Sequence, residues 1–220
     1  MAAIVFGAVA GNWNDDTKSV GVVKPTAADD AQLVLDSAAC TIDAAAVCRS
    51  LDCNTYTGTL THNASITLSI GDATAGAGNI ALRLVAEMTY TLGDIRTSAI
   101  TFISTSITAQ DVNFASQITG DVTYNGSGGS WKLVGTHNAN SSATVTVTLT
   151  QGTLNTNGQT CSFGDFNISG ASTRVLTLGA SAITILDDLL ASDTTNLTLN
   201  ANTSTITFSG SIASLTVADG

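Results

Sequence analysis

The sequence predicts an all-β fold, a single-domain parallel β-helix with an N-terminal cap. Three observations carry this: an internal near-repeat, short alternating strand patterns, and a composition of small hydroxylated residues. In the last quarter, Leu176-Thr-Leu178-Gly179 through Ile183-Thr-Ile185 is echoed by Leu197-Thr-Leu199-Asn200 through Ile206-Thr-Phe208. Leu178 to Leu199 and Ile185 to Ile206 are each 21 positions apart by subtraction, a period typical of stacked supersecondary units. The 220 residues are 44% hydrophobic but only 5% aromatic and 11% charged. A core of Val, Ile, Leu, Ala and Thr suits rungs in which each side chain lies over its counterpart in the next coil. Ser and Thr make up roughly a quarter of the chain, well above ordinary globular usage, so hydroxyls rather than charges wet the surface.

Residues 1–30 differ from the rest, holding Asn12-Trp13-Asn14-Asp15-Asp16 and the only proline, Pro25. They read as a cap over the first coil, with Trp13 as a plug. The solenoid body follows over residues 31–220, with no linker. Its first short β-type runs are Gln32 to Leu35, Cys40 to Ile42, Thr57 to Thr61 and Ser65 to Ile70. Ile80 to Leu92 has some helical character, but alternation of Ile80, Leu82 and Leu84 favours strand. Further strands are expected at Ile100 to Ile103, Val112 to Phe114, Val122 to Tyr124 and Trp131 to Val134. Ala143 to Leu149 alternates strictly, the clearest two-residue period in the chain. Ile185 to Ala191 is the strongest helix candidate, read as one excursion between coils. Gly and Asn punctuate the runs at Asn125-Gly126, Gln151-Gly152 and Asn157-Gly158. Such pairs also make tight hairpins, so an antiparallel β-sandwich or jelly roll is the alternative. The 21-residue recurrence favours the solenoid.

With 17 acidic and 7 basic residues the formal net charge is -10. The bases do not cluster, which argues against a nucleic-acid partner. No stretch approaches the roughly 20 apolar residues that span a bilayer, and no membrane surface is implied. The apolar start from Ala2 to Ala10 lacks a positive flank and is broken by Gly7, so no signal peptide is expected and synthesis is placed in a cytoplasm.

The residues offer little catalytic chemistry, and the expectation is a non-enzyme with no catalytic, metal or cofactor site. Asp15-Asp16, Asp29-Asp30 and Asp187-Asp188 are adjacent pairs, and neighbours in a strand point to opposite faces. They read as solvated turns rather than a glycosidase pair, with calcium at the first two as a lesser alternative. Glu87 is the only glutamate. His62 and His137 lie in turn-like Thr-His-Asn contexts, and no Gly-x-Ser-x-Gly elbow or phosphate loop is present. Cys40, Cys48, Cys53 and Cys161 contain no Cys-x-x-Cys pair. Cys40 and Cys161 are expected on inward strand positions, while Cys48 and Cys53 are close enough in sequence for a local bridge, which a reducing cytoplasm disfavours. Trp13 and Trp131 are expected to be structural rather than sugar platforms. The Asn125 to Ser130 segment is the expected exposed, mobile contact loop.

The pattern Thr148-Leu149-Thr-Gln-Gly152-Thr153-Leu154-Asn155-Thr-Asn157-Gly158, followed by Gly164-Asp-Phe166, Ser169-Gly170 and Arg174-Val-Leu176-Thr-Leu178-Gly179, resembles β-solenoid structural proteins of tailed bacteriophages. The N-terminal Asn12-Trp13, Pro25-Thr26 and Asp29-Asp30-Ala31 is similar to the entry of such proteins and of bacterial surface adhesins. The resemblance implies a virion structural protein displayed on the capsid exterior as a decoration or cement protein. Its implied partners are the major capsid protein or other virion proteins and further copies of itself, a homotrimer being favoured. The alternative is a carbohydrate-binding receptor or adhesion module of a tail or head fibre.

Overall fold

The structure is a computed structural model that describes residues 4–6, 11–14, 19–20, 24–34, 38–139, 144–210 and 214–217. It is all-β, a parallel solenoid in a single chain. Each coil contributes up to three short strands, and like strands of successive coils stack into three faces.

The first face stacks β1 (Ile4–Phe6), β4 (Asp30–Leu33), β7 (Ser50–Asp52), β10 (Ile80–Arg83) and β13 (Gln110–Asn113). It continues through the second halves of β14 (Val122–Leu133) and β16 (Thr146–Asn155), then β19 (Arg174–Thr177) and β22 (Leu197–Asn200). The second face begins with β2 (Gly11–Asn12), β5 (Cys40–Ile42), β8 (Thr59–His62) and β11 (Thr89–Leu92). After an interruption it resumes as β15 (His137–Ala139), β17 (Thr160–Phe163), β20 (Ala182–Ile185) and β23 (Thr205–Phe208). The third face stacks β6 (Ala46–Cys48), β9 (Thr67–Ile70), β12 (Ala99–Phe102) and the first halves of β14 and β16. It ends with β18 (Asp165–Asn167), β21 (Asp188–Ala191) and β24 (Ser214–Val217). Among the described residues the sole antiparallel pairing is β3 (Ser19–Val20) on β1, so the sandwich alternative does not occur.

The repeat is 23 residues where the near-repeat suggested 21. Leu199 pairs with Leu176, and Ile206 with Ile183, each 23 positions apart by subtraction. The two values differ by one strand period, so both keep the same residues facing inward. Backbone pairing decides between them, and pattern alone does not.

Ile185 to Ala191 is not helical: β20 and β21 meet at a corner, and Leu189 and Ala191 are buried. Pairing of β21 between β18 and β24 outweighs local helix preference. Ile80 to Leu92 is strand as expected, but it divides into β10 and β11 around a turn at 85–88. Asn125 to Ser130 is also no free loop. It lies inside β14, where the chain passes directly from the third face to the first. The packing there requires glycine: a Cβ on Gly126 would lie 1.8 Å from the Ser104 carbonyl oxygen, and one on Gly129 2.0 Å from the same atom.

The interior is filled in vertical columns. Trp131, Leu154 and Leu176 lie above one another on the first face, all buried. Phe102 and Tyr124 stack at 5.0 Å with planes 10° apart, and Tyr124 meets Trp131 at 5.4 Å. At the N-terminal end, Trp13 and Pro25 are buried. Strands β1 and β2 already continue the parallel stack beneath β4 and β5, so the segment expected as a cap carries strands as well.

Candidate functional site

The residues singled out by sequence do not converge on one place. Asp15 and Asp16 lie outside the described residues. Asp29 accepts hydrogen bonds from the Thr26 backbone N–H at 3.0 Å and the Thr26 hydroxyl at 2.5 Å, closing a turn. Asp30 is buried instead: its Oδ1 accepts from Arg49 Nε at 2.9 Å, Ser50 Oγ at 2.6 Å and the Ala77 N–H at 3.3 Å. Burial disfavours its charge, yet the bonds from Arg49 and Ser50 outweigh that and hold its carboxyl below the usual range. Burial raises the Asp165 carboxyl; its Oδ1 accepts the Asp188 N–H at 3.0 Å, and Asp187 and Asp188 add repulsion. Glu87 is exposed in the turn between β10 and β11. Among the described residues no group of three or more His, Cys, Asp or Glu side chains is placed to hold a metal ion.

Both histidines are core residues, contrary to the turn-like reading. His62 sits on β8, its Nδ1 paired with the Tyr90 hydroxyl at 2.8 Å and its Nε2 with the Ile66 carbonyl at 3.0 Å. His137 sits on β15 against Phe114, with Nε2 3.2 Å from Thr119 Oγ1. Burial pushes their pKa values down to about 4 and about 3, which keeps both neutral. Their Thr-His-Asn contexts resemble turns, but β-strand alternation points the imidazoles inward.

The four cysteines are free and buried, with no Cys48–Cys53 bridge. Cys40 and Cys161 are inward on β5 and β17, as the sequence suggested. Burial pushes both thiols up to about 12 and raises Cys48 and Cys53 too, so none is a nucleophile at neutral pH. Trp13 and Trp131 are fully buried, and neither ring offers a face for sugar stacking.

A concavity with a structural cause lies at the interruption of the second face. From Leu51 to Leu82 a coil takes 31 residues and from Leu82 to Val112 it takes 30, but from Val112 to Leu133 only 21, each by subtraction. The short coil places no strand on the second face. Its residues 117–119 make a single bridge, Ile118 to Asn138, and β11 becomes a sheet edge. Gln117 reaches back to donate to the Val85 and Met88 carbonyls at 3.1 and 3.0 Å. The step leaves an open groove of about 370 Å³ lined by Tyr90 to Ile95 and by Ile118, which is half exposed. Sequence pattern missed it because only a count of residues per coil reveals it. The groove is mainly apolar, with Asp94 as its charged residue, and it holds no arrangement of nucleophile, base and oxyanion donors.

The outer surfaces carry hydroxyl columns: Ser69, Thr101, Thr123 and Thr148 run up the third face in register, and Thr41, Thr61 and Thr91 up the second. Ion pairs bridge successive coils on the first face at Arg49–Asp30, Arg83–Asp52 and Lys132–Asp111. No protein-family model, curated protein or solved structure matches this chain.

Proposed function

We propose that the chain is a non-enzymatic structural protein of a tailed-phage virion, a decoration or cement protein on the capsid exterior. The observation that carries this reading is the unbroken packing of the interior, in which rings and aliphatic side chains stack coil upon coil. Such a core resists local opening, because an internal rung is held by hydrogen bonds and side-chain contacts from the coils on either side. The surface that remains is long, sparsely charged and hydroxyl-rich, suited to broad contacts with a shell rather than to enclosing a small molecule. The resemblance in the Gly152 to Gly179 pattern supplies the virion context. The partners are the major capsid protein or other virion proteins, and lateral association as a homotrimer is the favoured assembly.

The groove beside β11 favours a second reading, a carbohydrate-binding receptor or adhesion module. The two separate on a glycan array probed with the purified protein. The structural reading predicts silence across the array. Saturable binding that is lost on Ile118→Asp, with the fold retained, would replace it with the receptor reading.

A further inference from the structure

Strand β11 ends its sheet in the middle of the molecule, with the coils that carry β13 to β23 stacked beyond it. Its open edge is thus a product of the short coil above it. That edge has a definite hydrogen-bonding pattern. Thr89 and Gly93 donate to the Gly58 and His62 carbonyls of the coil below, at 3.0 and 2.7 Å. In a parallel ladder successive residues direct their N–H and C=O groups to opposite sides, so those of Tyr90 and Leu92 point away from β8. Among the described residues these groups have no hydrogen-bond partner. Gln117 donates to the Met88 carbonyl at 3.0 Å, which caps the start of the edge and leaves Tyr90 and Leu92 open.

The side chains mark the same place. Tyr90 and Leu92 stand on Leu60 and His62, which are fully buried, yet both are partly exposed because the short coil does not cover them. Ile118, 50% exposed, lines the groove with them. Exposed Glu87 and Asp94 lie two residues before and two residues after the strand, one at each end of the open edge. Among the described residues neither is in an ion pair, and the Arg96 guanidinium, in the turn beyond Asp94, pairs with neither.

We propose that this edge docks an extended segment of a protein partner, about seven residues long, with apolar side chains at alternate positions and a lysine or arginine at each end. The segment adds a strand to β11. An extended backbone carries donors and acceptors at the spacing that Tyr90 and Leu92 present, whereas the hydroxyls of a sugar have no such repeat. Its inward side chains continue the columns of Tyr90 and Leu92 and meet Ile118. The bases at its ends meet Glu87 and Asp94. The formal charge of -10 favours approach of a cationic segment over a second copy of this acidic chain. Because the acids bracket the strand, the charge match is the same for either direction of the segment. The inference is independent of any virion location.

The probe is the end-capped heptapeptide Lys-Leu-Thr-Leu-Thr-Leu-Lys, titrated into the full chain, with residue-resolved amide exchange as a second readout. The proposal expects saturable binding that slows exchange at Tyr90 and Leu92. Thr89 and Gly93, already bonded to the coil below, should not change. Replacing both lysines of the peptide by glutamate should weaken binding roughly tenfold. N-methylating its backbone, which keeps every side chain, should abolish binding. These changes are made in the peptide, so a folding defect of the protein cannot mimic them. Absence of saturable binding up to the solubility limit of the peptide overturns the proposal. So does equal binding of the glutamate or N-methylated peptide, or protection confined to other strands. Saturable glycan binding that a folded Ile118→Asp abolishes would assign the groove to a sugar and overturn it as well.

Discussion

His137 lies almost flat on Phe114, with ring centroids 4.0 Å apart and planes 18° from parallel, in the core beside Phe163. An imidazolium is costly in that setting, and the consequence is a pH-dependent stability. The folded-state pKa values of His62 and His137, about 4 and about 3, lie below the ordinary 6.5. Between those limits the unfolded chain binds protons that the folded chain does not, so stability rises with pH. It is fully present above about pH 6.5 and falls as pH drops toward 4 and then 3, by an amount on the order of a few kcal/mol. Urea midpoints at a series of pH values check this, and His137→Gln should flatten the lower part of the curve.

The glycines of β14 should separate packing from backbone conformation. Gly126→Ala drives a Cβ into the Ser104 carbonyl and is expected to cost about 3 kcal/mol or more. Gly128 has φ of 75° but a Cβ there would meet only the Thr105 carbonyl oxygen, at an ordinary 3.9 Å, so Gly128→Ala should cost only about 1 kcal/mol. Denaturant titration of the two variants ranks them, and equal costs would refute the close approach at Gly126.

The three ion pairs of the first face should contribute unequally, in order of burial. Arg49→Met leaves the buried Asp30 carboxylate without its cation and should cost about 3–5 kcal/mol. Lys132→Met removes an open pair with Asp111 and should change stability by less than about 0.5 kcal/mol. Arg83→Met, whose partner Asp52 is better covered, should fall between them. Thermal melts of the three variants give the order directly.

All four thiols should be silent toward a thiol reagent in the native protein at pH 8 and should react fully in denaturant. Their burial both blocks access and raises the thiol pKa. A fast-reacting native thiol would show that the first coils or β17 open locally.

How much of this was legible in the sequence depended on the range of the physics involved. The inward placing of Cys40, Cys161 and Trp131 follows from two-residue alternation, a local property. The solenoid itself was visible in the Leu176 to Phe208 echo, but its 23-residue register was not, because a shift by two residues preserves every facing. Leu186-Asp187-Asp188-Leu189 reads as helix in isolation and becomes strand only because neighbouring coils supply pairing partners. The Asn125 to Ser130 glycines look like flexible loop chemistry, yet close packing against Ser104 requires Gly126 and Gly129. The groove beside β11 had no local signature, since it arises from the length of a coil rather than from any residue in it.

The most direct measurement is cryo-electron microscopy of purified phage particles, with copy number determined by mass spectrometry. The account predicts many copies in symmetric clusters on the outer surface of the head, each density fitting the three-faced solenoid. A few copies confined to the tail tip, or none in the particle, would contradict it.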